Sequence, residues 1–76
     1  MTRYYELLTE HGTFRIEQTP LGWVPFFEDK SLGGPYRTAQ MAMDDLAEGH
    51  TDWPSCGNPA MLGASSDSED WEYCVA

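Results

Sequence analysis

Thr13-Phe14-Arg15-Ile16-Glu17 alternates apolar and polar side chains at period two, and glycine-bearing breaks stand on both sides of it, at His11-Gly12 and at Pro20-Leu21-Gly22. This stretch constrains the fold most. Period two fits a half-buried strand, and short runs bounded by turn residues pair with their neighbours as antiparallel hairpins. The run from Tyr4 to Glu10, rich in Tyr and Leu, and the run Trp23-Val24-Pro25-Phe26-Phe27 supply those neighbours. Proline cannot donate to a ladder, so Pro25 confines the third strand to an edge or a bulge.

After a connection that reads as flexible, Ser31-Leu32-Gly33-Gly34-Pro35, the period changes. Thr38 can cap a helix whose Ala39, Ala42, Met43 and Leu46 share one apolar face, and Gly49 stands where a helix C-terminal glycine belongs. His50 to Ser66 turns to Pro, Gly, Ser and Asn and reads as a long surface loop, held to the core by Trp53 and Met61. Asp67 to Ala76 carries Trp71, Tyr73 and Val75 at period two and reads as a final strand. The expected fold is α+β in the order β-β-β-α-β, an antiparallel sheet of about four strands with one helix packed on one face, residues 1–76 making a single domain. Phe14, Ile16, Trp23, Phe27, Ala42 and Leu46 are the expected core, Trp71 reads as core and as an interface candidate, and no internal repeat is evident.

Charge is the main functional clue. The chain carries 13 acidic side chains against 4 basic ones, a net charge of -9. All four cations, Arg3, Arg15, Lys30 and Arg37, lie in the first half, and from Thr38 onward there are 8 carboxylates and no Lys or Arg. Such a surface repels itself and draws basic partners toward it. It also repels phosphates, which excludes nucleic acid as a direct ligand. With 41% hydrophobic residues the chain is nevertheless too apolar for a disordered acidic tail.

Asp44, Asp45 and Glu48 fall in the last helical turn, where the macrodipole disfavours carboxylates by about 0.3–1 kcal/mol each, and Asp44 with Glu48 is a like-charge i, i+4 pair. Asp52 lies in the loop beyond. If Asp67 to Ala76 is one strand, Asp67 and Glu69 share one face and Asp70 and Glu72 the other, with same-face acids about 6.8 Å apart. Rows of acids spaced in this way can stand in for the phosphates of a nucleic-acid backbone. The candidate partner-binding residues are therefore Asp44, Asp45, Glu48, Asp52, Asp67, Glu69, Asp70 and Glu72. The plainer account is a solvated face that keeps a small protein soluble. Clustering without counter-ions, interleaved with Trp53, Trp71 and Tyr73, favours the interface.

Little in the chain points to catalysis. His11, His50, Cys56 and Cys74 lack the short spacings that grip zinc, and no metal or cofactor is expected. Cys56 and Cys74 read as thiols rather than a disulfide. His50, Asp52 and Cys56 could be written as a catalytic set, but all fall in a loop with no rigid element to fix them, and no enzyme is expected. Gly33-Gly34-Pro35 lacks the Lys of a phosphate-binding loop. Met1-Thr2-Arg3-Tyr4-Tyr5-Glu6 has no apolar signal region and no window would span a membrane, so a soluble cytoplasmic protein with no membrane partner is expected.

In size, charge, the β-β-β-α order from Tyr4 to Gly49 and the acidic end Asp67-Ser68-Glu69-Asp70-Trp71-Glu72, the chain resembles the small, acidic, phage-encoded anti-CRISPR proteins of the DNA-mimic type, nearest to inhibitors of type I (I-C) surveillance complexes. The resemblance implies a bacterial host cytoplasm, a CRISPR effector subunit as the basic partner, and occupation of its positively charged DNA path without catalysis. A second reading stays open beside it: a small adaptor or accessory domain that binds a protein through an exposed sheet edge or aromatic surface, its charge serving solubility.

Overall fold

A computed structural model describes residues 2–76. The meander at its centre is set by two turns of the same design. In Thr9-Glu10-His11-Gly12 and in Thr19-Pro20-Leu21-Gly22 the threonine hydroxyl donates to the glycine carbonyl at 2.8 Å, and it accepts the N–H of the residue two places on at 3.1 and 3.2 Å. Both turns lock two-residue loops between β1 (Arg3–Thr9), β2 (Gly12–Thr19) and β3 (Gly22–Phe27). Thr-x-x-Gly is thus a repeated turn in a chain whose sequence shows no larger repeat. Gly12 has φ 146°, and a Cβ there would stand 2.6 Å from the Phe27 ring, so any other residue would strain the backbone and displace that ring. The register sets Leu7 beside Phe14 and Phe14 beside Phe27, which puts their side chains on one face.

Pro25 sits opposite Ile16, and its neighbours show which way its nitrogen faces. Trp23 exchanges both backbone bonds with Tyr36, and the Pro25 carbonyl accepts from Leu32 N–H at 2.8 Å, so residues of this parity point away from β2 and the proline removes no bond of the β2–β3 ladder. The expected flexible connection is instead pinned. Lys30–Ser31 forms a short edge strand, β4, and Leu32 is fully buried, because one large apolar side chain among small polar ones has the core as its only favourable place.

The helix, α1 (Ala39–Glu48), has the expected ends. Thr38 accepts the N–H of Met41 at 3.2 Å, and Gly49 closes the helix in the left-handed region at φ 74°. Ala39, Ala42, Met43 and Leu46 are buried against β2 and β3. The following loop is anchored differently from the expectation. Trp53 and Met61 are exposed, and Thr51, Pro54, Pro59 and Leu62 are the buried residues, with a 3-10 turn over Pro59–Met61 capped by the Asn58 side chain.

The last segment is not one strand. Asp67 Oδ1 accepts the N–H of Glu69 at 2.9 Å and caps a 3-10 turn over Ser68–Asp70, and only Glu72–Val75 is extended, as β5. Ser and Asp side chains here offer the backbone a local alternative to the ladder. The face assignment for Asp67, Glu69 and Asp70 that a strand implied therefore does not hold. β5 pairs with β1, completing a five-stranded antiparallel sheet in the order β4-β3-β2-β1-β5, an α+β fold. Phe14, Ile16, Phe27, Ala42, Leu46 and Trp71 are core as expected, joined by Leu32, Met43 and Leu62. Trp23 is only half-buried; its ring packs on Tyr5 at 5.7 Å at the rim of the core.

On the other face of the sheet no strand side chain is buried among the described residues. At its centre Arg15 lies 4.2 Å above the Tyr4 ring, with Glu6 at 3.3 Å and Glu17 at 3.5 Å. Among the described residues no helix is long and apolar enough to cross a membrane.

Candidate functional site

The eight acids of the second half divide into three groups. Asp44 and Glu48 are exposed on the outer side of α1, where the i, i+4 spacing brings them onto one stripe. Gln40, one turn earlier, donates from its amide to Asp44 at 3.0 Å and to the Ser66 carbonyl at 2.6 Å. One side chain thus ties the helix to the residue that precedes the Asp67–Asp70 run. A shallow depression lined by Asp44, Ala47, Glu48 and Ser66 follows this seam. The depression therefore joins the helix acids Asp44 and Glu48 to Ser66, the residue before Asp67.

Within the C-terminal run the carboxylates also have local work. Asp67 is the cap of its turn, and Asp70 accepts the Ser65 hydroxyl at 2.6 Å while Ser65 accepts the Asp67 N–H. Trp71, buried, donates its indole N–H to the Ser65 carbonyl at 2.9 Å and holds this knot against the core. Glu69 is exposed, and its side chain accepts no hydrogen bond among the described residues.

Asp45 and Asp52 form the second group, around Tyr36. The Tyr36 hydroxyl donates to Asp45 Oδ2 at 2.8 Å. Burial, this hydrogen bond and the negative fields of Asp45 and Asp52 push the Tyr36 pKa up to about 12. Asp45 is consequently half-buried and structurally engaged, unlike Asp44 and Glu48. Beside it the αL residue Gly49 reverses the chain and returns His50 to the helix end, where its Nδ1 lies 3.9 Å from Asp45 Oδ1 and 3.5 Å from Glu48 Oε2. His50 is therefore a neighbour of the helix acids and not the partner of Asp52 that its place in sequence invites. The donor atoms of Asp45, Glu48 and His50 lie within 4.8 Å of one another, close enough to hold a metal ion, though such exposed groups are common without one.

Glu72 stands apart. Its register partner is Glu6, on the sheet face away from α1, so it does not join the other acids. No Lys or Arg pairs with any of the eight among the described residues; the only Arg ion pairs there are those of Arg15 with Glu6 and Glu17. Cys56 and Cys74 are free thiols, and Cys56 is exposed on the loop without a bond to His50 or Asp52. The chain matches no protein-family model, no curated protein and no solved structure.

Proposed function

We propose that this protein is a stoichiometric acidic inhibitor that presents carboxylates in place of nucleic-acid phosphates and occupies the positively charged DNA-binding site of a CRISPR effector complex. The observation that carries the reading is the seam between α1 and the start of the C-terminal run: among the described residues Asp44 and Glu48 are exposed there without a Lys or Arg partner, and Gln40 ties Asp44 to the Ser66 carbonyl, one residue before Asp67. Carboxylates held against the helix dipole and against one another are costly unless an outside cation relieves them. The resemblance in size, charge and element order to DNA-mimic anti-CRISPR proteins gives the class of partner.

A phosphate mimic of this kind works by mass action. It needs neither a bound group nor turnover, and each Lys or Arg it engages is one that the nucleic acid loses. The test is a titration of a type I surveillance complex with the protein, followed by DNA binding. Inhibition that reaches completion near one equivalent and that Asp44→Lys with Glu48→Lys abolishes supports the reading. DNA binding untouched by excess protein contradicts it.

A further inference from the structure

The outer edge of β5 is open. Thr2 and Ala76 exchange both backbone bonds, at 2.7 and 2.8 Å, which fixes the alternation of the β1–β5 ladder. Tyr4–Cys74 and Glu6–Glu72 are then the hydrogen-bonded pairs, and the N–H and C=O groups of Tyr73 and Val75 point away from β1. No strand, bulge, proline or lysine blunts this edge among the described residues. On the helix side it exposes half of Tyr73 and half of Val75, at 50% and 52%. On the other side it carries Glu72, directly opposite Glu6. Like charges opposite one another destabilise a sheet, and Arg15 bonds Glu6 but not Glu72.

We propose that this edge takes up an extended basic segment of a protein partner as a sixth strand, with Lys or Arg opposite Glu72 and apolar residues opposite Tyr73 and Val75. Three features fit that occupant. Glu72 points its backbone inward, so on the outer side it forms a non-hydrogen-bonded pair, the kind whose Cα atoms approach to about 4.5 Å and whose side chains meet most closely. A cation there relieves the Glu6–Glu72 repulsion. Tyr73, already packed on Tyr5 at 5.0 Å, offers a fixed apolar surface to the alternate side chains. A second copy of the chain is the poorer occupant, because it would add another Glu72 to the same edge and bring together two chains of net charge -9. This inference stands whether or not the partner binds nucleic acid.

The probe is a synthetic peptide of alternating Lys and Val, with a block peptide of the same composition as control, titrated into the whole chain at millimolar concentration. Backbone amide NMR and hydrogen exchange are the readouts. The alternating peptide should protect the Tyr73 and Val75 amides, while Glu72 and Cys74, already bonded to β1, change little. Val75→Pro removes an outward N–H and no ladder bond, so it should weaken binding about tenfold or more with the far-UV spectrum unchanged. Should that variant fail to fold, Glu72→Lys serves the same purpose without touching the backbone. Asp44→Lys with Glu48→Lys should leave the peptide response intact, which separates this edge from the inhibitor's seam. No response to the alternating peptide, equal protection by the block peptide, binding that survives both edge variants, or concentration-dependent protection of Tyr73 and Val75 in the protein alone would each overturn the proposal.

Discussion

Tyr36 couples a single proton to the integrity of the helix end. Its folded pKa is raised from the ordinary 10.0 to about 12 by burial first and by Asp45 and Asp52 after it, so the neutral phenol is what the fold prefers. The stability this contributes is present below the unfolded value and is lost as pH rises through the window from 10.0 to about 12. Tyr36→Phe should therefore flatten the alkaline limb of the stability curve, measured by denaturant unfolding across that window; an alkaline loss equal to the parent's would show that the phenol is not the titrating group. Phe14 is the residue on which the core closes, edge-on to Phe27 at 4.8 Å and to Trp71 at 6.4 Å. Truncation to Ala should cost about 3–5 kcal/mol, a large share of a small domain's stability, and an unchanged melting temperature would contradict the packing described.

At the scale of elements, the helix end and the turns carry different expectations. Asp45 holds the Tyr36 hydroxyl, so replacing it removes a structural bond, whereas Asp44 and Glu48 are exposed and oppose the dipole. Asp44→Lys with Glu48→Lys should therefore keep or slightly raise the melting temperature while partner binding falls by about tenfold or more. A drop in melting temperature would show that these acids hold the fold. Gly49→Ala should cost about 1–2 kcal/mol, because the αL conformation penalises a Cβ and the Asn58 side chain already fills the space it would enter. The strands of the meander and both helix caps were legible from sequence, since period two, Thr38 and Gly49 each have one good structural solution. Residues 67–71 were not, because Trp71 at period two suits a strand and a core anchor alike, and the capping bonds of Ser65 and Asp67 decide between them. Nor were the seam and the His50 contacts. Gln40 to Ser66 spans 26 residues, and no local pattern encodes such a pairing.

Over the whole molecule, charge is sorted by place as well as by sequence. The one cation that makes ion pairs with carboxylates among the described residues, Arg15, sits on the sheet face away from α1, and the helix side keeps its acids unpaired by Lys or Arg. Association driven by such a surface is screened by salt, more strongly than an apolar contact, and less steeply than for DNA itself, which also releases condensed counterions. The most direct measurement is competition: the affinity of the protein for a type I surveillance complex, with and without target DNA, at about 50 and about 200 mM salt. Mutual exclusion with DNA and affinity that falls as salt rises are the predicted result. A ternary complex holding DNA and this protein together, or affinity unchanged between the two salt concentrations, would contradict it.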